Sequence, residues 1–369
     1  MRSASRFQSR FRPTPPLPDW LTSPIVSGIT GARAALYMAE SVPLFALQRL
    51  FAGSASGPRP ELGPKEREAT LDALRTLTER DADNVARGLY PLSVFTPEAT
   101  PFEHATRYVR LLADSVGAAT RRRNKRPREF EGRAAELADE LPDYYRRNFH
   151  FQTDGYLSEA SALLYEHQVE LIFRGAADAM RRMVIPPMAD HFGQTDGRGL
   201  HFLELAAGCG SATRFVARAF PEARVTCVDL SHPYLQAARK RLRGYDRVGF
   251  LQSDAADLDL RSERFDAVYS VFLFHELPRG ERARVLAEAH RVLKPGGLHV
   301  VGDSVQEGDV RDLDWALDEF PRQFHEPYYR DSVRHPIEPM IEAAGFTPPR
   351  TETAFLAKIV SATRPAKDD

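Results

Sequence analysis

The sequence predicts an α/β protein, with a doubly wound, mostly parallel seven-stranded sheet preceded by a helical N-terminal domain. Two observations support this fold class. From residue 200 onwards, short apolar segments alternate with helical segments, which is the pattern of a parallel sheet with right-handed crossovers. Before residue 193 the periodicity is that of helices, and the turn GQTDGRG (193–199) separates the two regions.

The 369 residues divide into three predicted parts. Residues 1–60 form a tail and linker, residues 61–195 a helical domain, and residues 196–369 the sheet domain. The first twenty residues are rich in Arg and Ser, as in a transit peptide, but a disordered bacterial tail is the preferred interpretation. Residues 25–52 are amphipathic, and we expect a helix packed on the protein rather than a membrane anchor.

Three further helical patterns cover residues 65–90, 103–120 and 129–140, after a linker rich in Gly, Pro and Ser (52–66). The basic run RRRNKRPRE (121–129) is interpreted as a solvated loop. A nucleic-acid patch is the less favoured interpretation, because no aromatic residues interleave these charges.

A long helix is predicted directly before the sheet. The hydroxyl of Ser158 suits an N-cap, and Leu164 and Leu171 lie along one side of the pattern. We expect Pro186 and Pro187 to end this helix, because proline lacks the N–H that a helix interior needs.

The predicted sheet begins with the apolar strand LHFLELA (200–206). Four more strands are predicted, namely ARVTCVDLS, VGFLQSDAADL, FDAVYSVFLFHEL and LHVVGDSV. Helices are predicted over 211–220, 233–244 and 279–297. A helix near 333–345 and one late strand, TAFLAKIVSAT, complete the pattern.

Composition disfavours some classes of function. The formal net charge is −1, so no bulk attraction to nucleic acid is expected. Cys209 and Cys227 are the two cysteines, both in apolar segments, and they offer neither a disulfide framework nor zinc-ligand spacing; no metal is expected. Because no run of 18 apolar residues occurs, we expect no membrane-spanning helix. The lack of a disulfide framework fits a reducing cytoplasm.

A glycine turn follows the first predicted strand and marks a candidate ligand site. In a doubly wound sheet, ligands bind beyond the carboxyl ends of the strands. Gly208 and Gly210 allow close approach of a ligand to the backbone, and the helix that begins near Ser211 directs its N-terminal amides to the same place. A nucleoside-type ligand is therefore predicted, with a plain strand-to-helix turn as the alternative.

Two carboxylates follow the next two strands. Asp229, 19 residues after Gly210, can accept hydrogen bonds from both hydroxyls of a ribose. Asp254 can accept from an adenine amino group, and the amide of Ala255 can donate to the ring. Each aspartate alone is weak evidence for a ligand site, because Asp is a common turn residue, but both lie where a nucleoside would need a hydrogen-bond acceptor.

The glycine pattern distinguishes between nucleotides. A dinucleotide fingerprint requires G-x-G-x-x-G, and here Thr213 occupies the position of the third glycine. Glu204 would also repel a pyrophosphate, whereas it suits a ligand with an ammonium or sulfonium group. S-adenosylmethionine carries both groups. A nicotinamide-dependent oxidoreductase remains an alternative, as does a catalytically silent cofactor-binding scaffold.

Four segments occur in order between residues 200 and 304: LELAAGCG, VTCVDLS, SDAADL and RVLKPGGLHVV. In this combination they resemble the motifs of class I S-adenosylmethionine-dependent methyltransferases. Ala206 stands in place of the first glycine of the first motif, a substitution that also occurs in the quinone-type branch of that family. The resemblance covers a little over a quarter of the chain and implies a Rossmann-like fold with S-adenosylmethionine as cofactor.

The resemblance assigns the first cofactor contacts. It implies that Glu204 holds the methionine ammonium, directly or through water. Ala206, Gly208 and Gly210 would pass beneath the methionine part. Tyr156, in QTDGYL, is a further implied contact, because the segment before the domain often folds over the cofactor in this family.

The remaining implied contacts follow the later strands. Asp229, with its neighbour Leu230, would bind the ribose, and Asp254 with Ala255 the adenine. Ser270, at the end of the fourth strand, would flank the cofactor.

Methyl transfer to an acceptor that carries a proton is helped by a general base. His275 and Glu276, just past the fourth strand, are the candidates, with Asp303 as a second possibility. The segment FPRQFHEPYYRDS (320–332) could line or cover the acceptor pocket, which makes four further residues weaker candidates: His325, Glu326, Tyr328 and Tyr329.

The expected partner is a small-molecule methyl acceptor, not nucleic acid, because the charge is near neutral and no N-P-P-Y-type signature follows the fourth strand. Methylation at oxygen, carbon or nitrogen all remain open, and in-line transfer is expected. The helical half is expected to complete the acceptor pocket or to form a homodimer surface.

Overall fold

The computed structural model describes residues 18–52, 62–124 and 126–367. The predicted tail, residues 1–17, and most of the predicted linker, residues 53–61, lie outside this part of the chain. The described residues form helices packed against one mixed seven-stranded sheet. The predicted fold class is confirmed.

The helical half consists of seven α-helices within the described residues. They are α1 (Asp19–Ala52), α2 (Pro64–Ala86), α3 (Pro101–Asn124), α4 (Arg133–Asp139), α5 (Glu159–Ile172), α6 (Ala177–Arg182) and α7 (Ile185–Phe192). Ser158 caps α5 as predicted, because its side chain accepts a hydrogen bond from the Ser161 amide.

The sheet has the strand order β3-β2-β1-β4-β5-β7-β6, in which β1 to β5 are parallel. Its elements are β1 (His201–Leu205), α8 (Ser211–Ala219), β2 (Arg224–Asp229), α9 (His232–Arg241), β3 (Val248–Gln252), β4 (Phe265–Val271), α10 (Arg279–Val292), β5 (Leu293–Ser304), α11 (Asp314–Gln323), α12 (Tyr329–Arg334), α13 (Glu338–Ala343), β6 (Arg350–Ala354) and β7 (Ala357–Thr363). The order reverses between β1 and β4, which is the switch point where ligands bind in such sheets.

Three local predictions were wrong. The late strand is two strands, because the chain turns at Phe355 and β6 and β7 pair antiparallel. Pro186 and Pro187 lie in the first turn of α7 rather than at the end of a long helix; the first turn tolerates proline because its N–H groups are unpaired anyway. The basic run begins inside α3, where Arg121 is buried and donates to the Phe151 carbonyl oxygen at 2.9 Å.

Buried side chains cover both faces of the sheet. On one face, Phe202 and Val300 pack with residues of the helical half such as Met180. On the other face, Leu203 and Val301 pack with residues of α10 and α13. The carboxyl edge of the sheet therefore lies between two packed layers, with helical segments beside it.

The first helix is partly packed and partly exposed. Leu44 is buried, as its amphipathic pattern indicates, whereas Leu50 and Phe51 are exposed. Among the described residues, no helix has both the length and the apolar character required to cross a bilayer.

Candidate active site

A cleft lies at the carboxyl ends of the parallel strands. Most of the predicted cofactor residues line it, drawn from four separate segments of sequence. These residues are Tyr156, Ala206, Gly208, Asp229, Leu230, Asp254 and Ala255, and the predicted catalytic residue Glu276 lines it as well. We refer to it as the cofactor cleft.

The glycine turn after β1 has three residues with positive φ: Ala206 at 53°, Gly208 at 54° and Gly210 at 78°. A side chain at Gly208 would meet no atom within 4 Å, so this position borders open space in the cleft. Gly210 is different, because an added Cβ would lie 2.8 Å from Leu242 Cδ1 and 3.3 Å from Ala238 Cβ. Gly208 thus permits approach of a ligand, whereas Gly210 permits packing against α9.

We expect Gly210→Ala to destabilise the fold by about 1–3 kcal/mol, from the left-handed backbone and the contact with Leu242. Gly208→Ala is the matched control, because it has the backbone strain without the steric contact. Denaturant unfolding of the ligand-free proteins should show the larger loss of stability at Gly210. Calorimetric titration should show the larger loss of cofactor affinity at Gly208, and the reverse pattern would contradict this division.

Asp229 is the last residue of β2, and its carboxylate bonds to the turn after β1 and to the turn after β2. Its Oδ2 accepts from the Gly208 amide at 2.7 Å, and its Oδ1 accepts from the Ser231 amide at 2.7 Å. Burial raises the pKa of Asp229 to about 6, although these amide donors oppose the shift. A carboxylate offers about four acceptor positions, so Asp229 can still accept a hydrogen bond from a ligand in the cleft.

Asp254 lies in the turn after β3 and is only partly buried. Its Oδ1 accepts from the Tyr144 hydroxyl at 3.1 Å and from the Ala256 amide at 2.8 Å. The helical half thus contacts this end of the cleft through Tyr144.

Two predicted cofactor residues lie beneath the cleft rather than in its wall. Glu204 is buried, and its Oε2 accepts hydrogen bonds from the hydroxyls of Thr213 and Tyr269. Burial raises the pKa of Glu204 to about 7, although both donors oppose the shift. Ser270 is fully buried, and the next three residues of the chain line the cleft instead.

An aromatic wall closes the cleft on the side of the helical half. Tyr156, the only member predicted, stacks on Phe149 with ring centroids 5.0 Å apart. Tyr145, Tyr165 and Tyr234 complete the wall. The sequence carried no signal for these residues beyond their aromatic character, because three different segments bring them together.

His275 pairs with Asp303 rather than with its neighbour Glu276. Its Nδ1 lies 2.6 Å from Asp303 Oδ1, and Asp303 is held by the amides of Phe274 and Ser304. Burial opposes the charged ring, but the Asp303 carboxylate outweighs it, and the pKa of His275 is raised to about 9. The carboxylate that pairs with His275 is therefore Asp303, which the sequence suggested only as a second possibility.

Glu276 faces the cofactor cleft. It accepts a hydrogen bond from the Tyr156 hydroxyl at 2.7 Å. Burial and the nearby Glu326 carboxylate raise the pKa of Glu276 to about 8.

A second cavity, larger than the cofactor cleft, shares a lining residue with it. Phe272 lines both cavities, and His275 lines the larger one. Its walls are mainly apolar and come from α1, α2, α5, α11 and the turn between β6 and β7; they include Phe45, Phe173, Leu313, Trp315, Phe320, Phe324, Tyr329, Phe355 and Leu356. We refer to it as the acceptor cavity.

The sequence was compared with known proteins. Residues 202–297 match the family described as methyltransferase domain. The chain is 32% identical over 147 residues to a fatty-acid O-methyltransferase of Mycolicibacterium smegmatis, covering 40% of this chain and 53% of that protein. It is 31% identical over 182 residues to a malonyl-(acyl-carrier protein) O-methyltransferase of Geobacter sulfurreducens, covering 47% of this chain and 67% of that protein.

The chain belongs to the class I S-adenosylmethionine-dependent methyltransferases. Its cofactor is accordingly S-adenosylmethionine. The chain spans about half the length of the curated relatives it matches. Among solved structures, the carbon methyltransferase CurJ aligns over 94% of this chain and 98% of its own, with 13% identity and a TM-score of 0.45.

Proposed function

We propose that this protein transfers a methyl group from S-adenosylmethionine to a small, largely apolar acceptor that carries a removable proton. The observation that carries the proposal is that Phe272 lines both cavities, while His275, paired with Asp303, lines the larger one three residues further along the chain. The acceptor would lie in the larger cavity, and in-line transfer would take place where the two cavities share Phe272.

The cofactor cleft fits S-adenosylmethionine on its own geometry. Open space above Gly208 leaves room for the methionine part, and Asp229 offers a carboxylate to the ribose hydroxyls. Asp254 and Ala255 would contact the adenine, and Glu204 would act on the ammonium through water, since it lies below the wall. When bound, the cofactor supplies an activated methyl group; the protein positions the acceptor and excludes water.

Cofactor affinity should depend on pH through Asp229. Its ionised form accepts hydrogen bonds best, and its raised pKa of about 6 places the loss of that form just below neutral pH. We expect affinity to fall as the pH drops through about 7 and then 6, because the raised pKa of Glu204 lies near 7 and that of Asp229 near 6, with a limiting loss of about tenfold per pH unit for each protonated group. Calorimetric titrations from pH 5 to 8 measure this dependence. Asp229→Asn is the control, and its cofactor affinity should change less with pH. A flat wild-type profile would contradict it.

His275 is proposed as the general base in its neutral form, which is the minor form below its raised pKa of about 9, so methyl transfer should speed up as the pH rises towards that value. Asp303 holds its Nδ1, which leaves Nε2 for the acceptor proton. Glu276, the other predicted catalytic residue, faces the cofactor side and holds Tyr156. We assign Glu276 a positioning role in methyl transfer.

The acceptor class can be tested with labelled cofactor. Tritiated S-adenosylmethionine is incubated with long-chain fatty acid, demethylmenaquinone and malonyl-acyl carrier protein, which correspond to the named activities of relatives. Transfer to an apolar acceptor supports the proposal, and methylation of the carrier-bound acid alone would favour a different substrate class. Cofactor binding without transfer to any tested acceptor would favour the silent-scaffold alternative, and binding of NADH instead would favour an oxidoreductase.

We also propose roles for the predicted parts of the chain. Residues 61–195 would cap the acceptor side of the methyltransferase domain, since α2 and α5 contribute to the acceptor cavity. A cytoplasmic location is proposed on the two buried, unpaired cysteines, Cys209 and Cys227.

A further inference from the structure

Three side chains from distant parts of the sequence converge beside the cofactor cleft. His150 follows α4, Glu276 follows β4, and Glu326 lies between α11 and α12. Their ligand atoms all lie within 4.8 Å of one another. The backbone fixes the arrangement in part, because the His150 amide donates to the His325 carbonyl at 3.3 Å.

The Glu326 carboxylate is not satisfied by the protein. Its side chain is fully buried, and neither oxygen has a hydrogen-bond partner. Among the described residues, no Arg or Lys forms an ion pair with Glu326 or Glu276. A buried carboxylate without a hydrogen-bond donor or cation is expensive, and Glu326 is in this state, whereas Glu276 accepts from the Tyr156 hydroxyl.

The contact between His150 and Glu326 also lacks hydrogen-bond geometry. His150 Nε2 lies 3.0 Å from Glu326 Oε1, yet the two atoms are not aligned as donor and acceptor. Ligand atoms about 2.1 Å from one metal ion lie about 3 Å apart in an octahedral shell, so the distance fits two neighbouring ligands.

We propose that His150, Glu276 and Glu326 form a binding site for one divalent transition-metal ion. One imidazole and two carboxylates favour Mn²⁺, Fe²⁺ or Zn²⁺ over Ca²⁺. The ion would connect the helical half, the end of β4 and the segment after α11 at the edge of the cofactor cleft. This proposal does not depend on methyl transfer, because metal binding is measured without an acceptor.

A second group of this kind in the described residues, Glu40 with His104 and His167, provides a control. There both imidazoles lie within hydrogen-bonding distance of the carboxylate, at 2.7 Å and 2.9 Å, so the Glu40 oxygens already have partners. Glu40→Gln should therefore leave the proposed metal site unchanged.

The test uses the full chain, stripped with chelator and titrated with MnCl₂ by electron paramagnetic resonance and with ZnCl₂ by calorimetry. We expect one ion per chain, and Glu326→Gln should weaken its affinity by at least about 100-fold, because loss of outer partners alone weakens binding 10–100-fold. His150→Asn is a second variant, in case Glu326→Gln does not fold. No binding by wild type, or loss in Glu40→Gln with retention in Glu326→Gln, would overturn the proposal.

Discussion

Replacement of Asp229 by Ala is expected to weaken S-adenosylmethionine binding by about 1.5–3 kcal/mol, or roughly 10- to 150-fold. The carboxylate is the proposed acceptor for the ribose hydroxyls. It also accepts from the amides of Gly208 and Ser231, which fix the turns after β1 and β2. The substitution therefore removes a ligand contact and loosens the two loops that shape the cleft.

The measurement is calorimetric titration of S-adenosylmethionine and S-adenosylhomocysteine into folded wild type and variant. Asp259→Ala is the matched control, because it removes the same charge from an exposed position outside the cleft wall. Asp229→Asn should fall between wild type and Asp229→Ala, since the amide keeps one accepting oxygen. Wild-type affinity in a folded Asp229→Ala protein would contradict the assignment of the ribose site.

Residues at strand ends were the part of the site that the sequence could predict. In a parallel sheet the carboxyl ends share one edge, so local position in the sequence also gives position in space. Gly208, Asp229 and Asp254 line the cleft for this reason. Glu204 in β1 and Ser270 in β4 also lie near strand ends, but both are buried and neither lines the cleft.

Contacts between distant segments could not be predicted in this way. In the aromatic wall, Tyr165 packs on Tyr234, which lies in α9 of the other half, and Tyr145 packs on Tyr156. Asp303 reaches His275 across 28 residues because β5 pairs with β4, whereas proximity in sequence favoured Glu276. The contact between His275 and Asp303 depends on the register between β4 and β5, and neither segment alone determines that register.

The elements that were predicted wrongly lacked the usual local signals. The turn between β6 and β7 has Phe355 with φ of 60° and no Gly, Pro, Asn or Asp, so the hairpin looked like one apolar strand. Arg121 looked solvated by composition, but its guanidinium donates to Phe151 and Thr153 in the packed protein. In both cases tertiary contacts outweighed the local pattern.

Replacement of His275 by Ala is expected to lower kcat by about 10²–10⁴-fold, the range of a general base, with little change in cofactor affinity. His275 lines the acceptor cavity and is absent from the wall of the cofactor cleft. The substitution should therefore lower kcat while it leaves cofactor affinity nearly unchanged. Single-turnover transfer of labelled methyl, with the acceptor found in the screen, measures the chemical step. Cofactor affinity is measured on the same preparation.

Asp303→Asn should lower kcat in the same direction, because Asp303 is a positioning residue that holds His275 Nδ1. Tyr329→Phe is the matched control: its ring lies 5.7 Å from the His275 ring, and only the hydroxyl bonded to Ser304 is lost. Added imidazole should partly restore transfer in His275→Ala, since the cavity has room for it, but not in Asp303→Asn, where the ring is still present. A merely structural histidine would show no such rescue, and unchanged kcat in His275→Ala would remove it from the mechanism.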